Sequence, residues 1–114
     1  MTATIYHNPR CSKSRQALAL LEEKGVDADI RLYLNDPLNT VELKSLLAKL
    51  NIPAHDILRS KGADYKEAGL SKNATDEQIF TAIAKAPKLL ERPIVVTDKG
   101  ARIGRPTEAI LEIL

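Results

Sequence analysis

Cysteine is almost missing from this chain: Cys11 is the only one in 114 residues. No internal disulfide can form, and that usage fits a reducing compartment. Tryptophan is absent, and one Phe and three Tyr are the only aromatic side chains. A surface that stacks nucleic-acid bases is therefore not expected. Neither sign of charge dominates: the formal net charge is +2, too small to argue for a nucleic-acid or anionic-membrane partner. No apolar run approaches the ~20 residues of a membrane span. The start, "MTATIYHNPR", lacks a basic region followed by an apolar stretch, so no signal peptide is read. These absences predict a cytoplasmic protein. One cysteine and two distant histidines, His7 and His55, do not make a zinc site, which takes about four ligands. No Walker A loop or dinucleotide fingerprint occurs. What remains is ordinary for a globular chain, 44% hydrophobic and 28% charged, of a length that predicts one domain spanning 1–114.

The pattern of residues predicts the elements. "TATIY" (2–6) is short and β-branched, as a strand should be. From Ser12 the apolar residues Ala17, Leu18 and Leu21 fall at helical spacing, and Lys24 and Gly25 supply a stop. "DIRLYL" (29–34) alternates and predicts a second strand, parallel to the first across the helix. The middle is helical. Thr40 is read as the cap of a helix carrying Leu43, Leu46, Leu47 and Leu50, ended by Pro53. Shorter pieces are expected at 55–59 and 65–68, and "TDEQ" (75–78) matches a capping box before Ile79 and Ile83. "PIVVT" (93–97) and "ARIG" (101–104), joined by "DKG", predict an antiparallel hairpin. Pro106 opens a last helix. The simplest assembly is an α/β domain: a four-stranded mixed sheet, thioredoxin-like, with an all-helical insert over about 38–90 between the second and third strands.

Cys11 falls at the first strand-to-helix turn, in "YHNPRCSKSRQAL" (6–18). There the free N–H groups and positive end of the helix face the sulfur, and Arg10, Lys13 and Arg15 add charge. Both effects favour thiolate, whose pKa at such sites falls from about 8.5 to roughly 3.5–7.5. The same groups attract anions. The spacing Cys11-Ser12-Lys13-Ser14 is a Cys-x-x-Ser without a resolving thiol, so any disulfide must be mixed or intermolecular. The competing reading is a buried inert cysteine, which these polar neighbours fit poorly. A tyrosine-phosphatase loop needs arginine six positions on, where Ala17 stands. His7 is read as a base toward Cys11 or as a residue shaping the turn, and His55 as a surface residue. Among the arginines, Arg31 and Arg102 are not separated from the others by composition.

Four segments carry a resemblance: "YHNPRCSKSR", "ILRSKGADYKEAGL", "LLERPIVV" and "ARIGRPTEAILEIL". Together they closely resemble the ArsC family of glutathione- and glutaredoxin-dependent arsenate reductases, in its short chromosomal form. The resemblance implies that Cys11 attacks arsenate and that Arg59, Arg92 and Arg105 bind the oxyanion, brought to the Cys11 turn by a thioredoxin-like fold. It implies auxiliary roles for His7, Asn8 and Ser14, with Ser14 bonding the sulfur and Asn8 holding the turn. It places Pro93 where thioredoxin-like folds carry a cis-proline beside the nucleophile. No bound cofactor is implied; glutathione and glutaredoxin supply electrons. Arginine suits the substrate, since its planar fork stays charged and pairs with two oxygens of a tetrahedral anion. Arg10, Ser12 and Lys13 make this turn more basic than the family pattern. The alternatives are a monothiol glutaredoxin-like oxidoreductase acting on glutathione mixed disulfides, which has little need of three arginines, and an Spx-like regulator that binds RNA polymerase. The latter commonly uses a Cys-x-x-Cys switch that Ser14 breaks.

Overall fold

The computed structural model describes residues 2–59 and 63–114. The chain forms two compact units, one from 1–36 with 92–114 and one from 37–91.

The first unit holds the sheet. Strands β1 (Thr2–Tyr6), β2 (Asp27–Arg31), β3 (Ile94–Thr97) and β4 (Gly100–Ile103) lie in the order β2-β1-β3-β4. β1 and β2 are parallel, from Thr2↔Asp27 to Tyr6↔Arg31; β1–β3 and β3–β4 are antiparallel. The mixed sheet is the one anticipated, with β3 and β4 displaced by a single residue at their ends and β2 by more. β2 starts two residues early and stops at Arg31, because β1 offers no partner beyond Tyr6. The backbone then turns, with Asn35 N–H donating to the Leu32 carbonyl at 3.0 Å. The "DKG" link is a two-residue turn at Asp98 and Lys99, followed by Gly100 at φ 141°, a conformation that favours glycine.

Helix α1 (Ser12–Glu23) joins β1 to β2. It ends as the sequence predicts: Gly25, at φ 69°, donates to the Glu22 carbonyl and Val26 to that of Leu21, which closes a Schellman motif. Ala17 and Leu21 pack with Ala3, Ile5, Val26, Val95, Ile110 and Ile113 in one buried cluster. The last segment, Thr107–Ile113, is helical as expected and of the 3-10 kind. Its buried residues Ile110 and Ile113 are three apart, which the three-residue turn of a 3-10 helix aligns on one face. Removing one such side chain, as in Leu21→Ala, costs about 2–5 kcal/mol.

The second unit is helical: α2 (Thr40–Leu50), α3 (Ala63–Glu67) and α4 (Asp76–Lys85), with 3-10 turns at Ala54–Ile57 and Pro87–Leu89. The cap of α2 is Asn39, not Thr40: its side chain accepts from Glu42 N–H at 2.8 Å, and Glu42 Oε1 accepts from Asn39 N–H at 3.1 Å. Thr75 and Gln78 form the second box, as read from "TDEQ". Leu43, Leu46 and Leu50 of α2 are buried, as are Ile79, Phe80 and Ile83 of α4. Leu58 and Leu90 form an isolated antiparallel bridge. His55 is more engaged than a surface residue. Its Nε2 lies 3.0 Å from Tyr65 OH and 3.2 Å from the Ser71 carbonyl. That carbonyl can only accept, so Nε2 carries the proton.

Candidate active site

The turn between β1 and α1 is held by local bonds that the sequence supplies. Cys11 N–H donates to the Asn8 carbonyl at 3.0 Å, and Arg10 N–H donates to Asn8 Oδ1 at 3.0 Å. This places Asn8 as the residue that holds the turn. Arg15 donates from Nη1 to the Pro9 carbonyl at 2.9 Å, clamping the loop to the first turn of α1. Cys11 itself is the N-cap, with extended backbone (φ −92°, ψ 122°) and a half-buried side chain. No acidic residue lies in that first turn, so nothing on α1 neutralises its positive end.

Burial alone would raise the Cys11 thiol. The Ser14 backbone N–H, the Arg92 charge, the Lys13 N–H and a bond from the Arg92 guanidinium outweigh it, and the thiol ionises below its ordinary value. Arg105 Nη2 lies 3.9 Å from the sulfur, the long limit for an N–H···S contact. Its Nε donates to the Arg92 carbonyl at 2.7 Å, so the backbone of one arginine aims the side chain of the other.

The Ser14 side chain stands elsewhere than the resemblance implies. Its backbone N–H faces the sulfur, while its buried hydroxyl lies 2.6 Å from His7 Nδ1 and accepts from Asn8 N–H at 3.0 Å. His7 is buried too, and burial, then the Arg15 charge, lowers its pKa. With Nδ1 bonded to the Ser14 hydroxyl and not to the sulfur, His7 is placed to shape the turn.

Pro93 is buried and follows a cis bond to Arg92, and Arg105–Pro106 is a second cis bond. Gly104 packs on the Pro93 ring. A Cβ there would lie 2.9 Å from Pro93 Cγ, and Gly104 N–H donates to the Pro93 carbonyl at 2.8 Å. That close approach sets the chain just before Arg105. The glycine in "GRP" was the available signal for it.

The other arginines separate as well. Arg102 is tied to Glu112 at 3.5 Å and to the Ala101 carbonyl at 2.7 Å. Arg31 bonds Asp36 and stacks over Tyr6, 6.0 Å from the ring centre. Arg59 belongs to the helical unit, where its N–H donates to the Leu89 carbonyl at 2.8 Å; residues 60–62 of its "ILRSKG" segment lie outside the described residues. The first unit thus brings together Cys11, Arg92, Arg105, His7, Asn8, Ser14 and Pro93. Chemically, it presents a thiol of lowered pKa beside guanidinium and backbone donors, which suits attack on an electrophile carried by an oxyanion.

Comparison with known proteins agrees over the full length. The uncharacterised protein YfgD of Escherichia coli is 47% identical across 96% of this chain and 94% of its own. An arsenate reductase of Haemophilus influenzae is 45% identical, with 100% of each chain covered. A solved structure of an arsenate reductase from Vibrio cholerae has a TM-score of 0.96 at 46% identity, covering 100% of this chain and 98% of that one. The ArsC family model matches residues 6–113, and the chain belongs to the ArsC family.

Proposed function

We propose that this protein is an arsenate reductase that takes its electrons from glutathione and glutaredoxin. The observation that carries the reading is the state of Cys11: a thiol held below its ordinary pKa, with the Arg92 and Arg105 guanidinium groups beside it. Relatives named arsenate reductase, alike over the whole chain, support the choice of oxyanion.

In this reading the Cys11 thiolate forms an S–As bond while one As–O bond breaks and its oxygen leaves as water. Glutathione supplies the second sulfur. Two thiols lose two electrons and end as one disulfide; arsenic gains them and leaves as arsenite. Glutaredoxin then removes glutathione from Cys11 by thiol–disulfide exchange. Arg92 and Arg105 hold the tetrahedral anion and stabilise the charge that moves as the As–O bond breaks. Arg59 is assigned as the third arginine on its motif match alone. Asn8, Ser14, His7 and Pro93 shape the turn that presents the sulfur.

The test follows NADPH oxidation coupled through glutathione reductase, with arsenate, glutathione and glutaredoxin. Wild type is expected to show an arsenate-dependent rate that Cys11→Ser lacks. Equal rates for the two sink the assignment, and turnover on a glutathionylated substrate without arsenate turnover replaces it with a monothiol oxidoreductase.

A further inference from the structure

The sheet has two edges, β2 and β4, and they are finished differently. On β4 the chain takes up its own acceptors. The Ala101 carbonyl accepts from Arg102 Nη1 at 2.7 Å, and the Ile103 carbonyl from Arg105 N–H at 2.9 Å. On β2 the Arg31 carbonyl accepts from His7 N–H at 2.9 Å, so Arg31 turns its main-chain groups toward the β1 side. Alternation along the strand turns those of Asp29 the same way and those of Ala28 and Ile30 outward. Among the described residues nothing bonds these outward groups. Such a row is a template for another strand. Ile30 stands on it 46% exposed, a large apolar side chain that gains from being covered.

The side chains of β2 select the strand that fits. Asp29 and Arg31 share one face of the sheet, Ala28 and Ile30 the other. Let a second β2 lie antiparallel with Ile30 opposite Ile30. Asp29 then stands opposite Arg31 on both sides of the centre, and Ala28 opposite Leu32. Sliding the pair by two residues sets Asp29 against Asp29 or Arg31 against Arg31, and like charges directly opposite are destabilising. Sliding it by one flips the faces. In the favoured register the two Ile30 residues exchange both N–H···O bonds, and each Leu32 N–H meets an Ala28 carbonyl. Arg31 already pairs with Asp36 at 3.4 Å; a guanidinium carries five N–H donors and can hold a second carboxylate.

We infer that β2 docks a second copy of this chain, antiparallel, with Ile30 on Ile30 and Asp29 on Arg31 at both ends, joining two four-stranded sheets into one. This pairing does not depend on what Cys11 reacts with.

The test is sedimentation equilibrium of the full chain over a concentration series. Wild type is expected to approach twice the 12.5 kDa of the single chain. Ile30→Pro removes an outward donor and leaves the bonds to β1 in place, as proline on an edge strand can; it should abolish association, with circular dichroism as the check on folding. Asp29→Lys and Arg31→Glu each set like charges opposite one another and should each weaken self-association about tenfold or more. Mixed together, these two variants regain opposite charges at both ends and should associate as wild type does. Amide exchange carries a further signature: Ile30 and Leu32 slow as concentration rises, while Asp29 and Arg31 do not change. A wild type that stays monomeric up to about 1 mM, a dimer that Ile30→Pro and Asp29→Lys leave intact, or a mixture that fails to restore association each overturn the proposal.

Discussion

The start of α1 and the starts of α2 and α4 solve the same problem in opposite ways. Every helix begins with N–H groups that lack partners. α2 and α4 satisfy them internally, with the Asn39–Glu42 and Thr75–Gln78 boxes, and place Glu42, Asp76 and Glu77 where the dipole favours negative charge. α1 begins on a cysteine, has no acid in its first turn, and places Lys13 and Arg15 there instead. Cations at that end cost typically 0.3–1 kcal/mol each. Two helix starts are closed by capping boxes; the third has none, and its first N–H groups face the Cys11 sulfur.

The largest effect is expected from removing what occupies the open end. Cys11→Ser should abolish arsenate-dependent turnover while moving stability by no more than about 0.5 kcal/mol, read from urea unfolding. Its pH dependence should differ as well. The folded chain releases the Cys11 proton at a lower pH than the unfolded chain does. Stability therefore rises with pH from the folded pKa up to that of the unfolded thiol and levels off above it. Cys11→Ser should lose that slope, and a slope that persists would mean the thiol is not the group responsible.

Next in size are the guanidinium groups. Arg92→Ala and Arg105→Ala should each lower kcat by about 10²–10³-fold. Arg102→Ala, whose side chain is held by Glu112, should leave it within about twofold. Equal losses at all three positions would reduce the effect to general charge.

At the closed ends the expectation reverses. Asn39→Ala and Thr75→Ala should each cost about 1 kcal/mol of stability and leave kcat unchanged, as measured by denaturation and by the coupled assay. The smallest effect joins the two kinds of start. Lys13→Glu places at α1 what α2 and α4 already have, so it should stabilise the fold by about 0.3–1 kcal/mol while raising the Cys11 pKa, followed by thiolate absorbance. A stabilised variant with an unshifted thiol would break the comparison.

Much of this contrast was legible in the residues. Thr75 with Gln78 three positions later announced one closed start, and a cysteine among Arg10, Lys13 and Arg15 announced the open one. The Asn39 box was hidden because Thr40 also favours caps and stands beside it. The alternation of Ile30, Leu32 and Leu34 read as strand because sequence shows period but not the length of the partner. Once β1 ends at Tyr6, the same leucines serve a cavity wall. The Ser14 hydroxyl could be placed on neither the sulfur nor His7 from spacing, since a helix start offers both within reach. Selecting Arg105 over Arg102 needed the family motif. In the structure Arg105 reaches toward the sulfur while Arg102 pairs with Glu112, and the close approach of Gly104 to Pro93, eleven positions apart in the chain, sets the backbone before Arg105.

The bond from Arg105 Nε to the Arg92 carbonyl also bears on how such a protein changes over generations. Arg105 takes its aim from the backbone at position 92, which every amino acid provides, and not from the guanidinium there. A substitution that deletes the Arg92 side chain therefore leaves the other arm in place. The position of one guanidinium is thus insulated from a change in the other side chain.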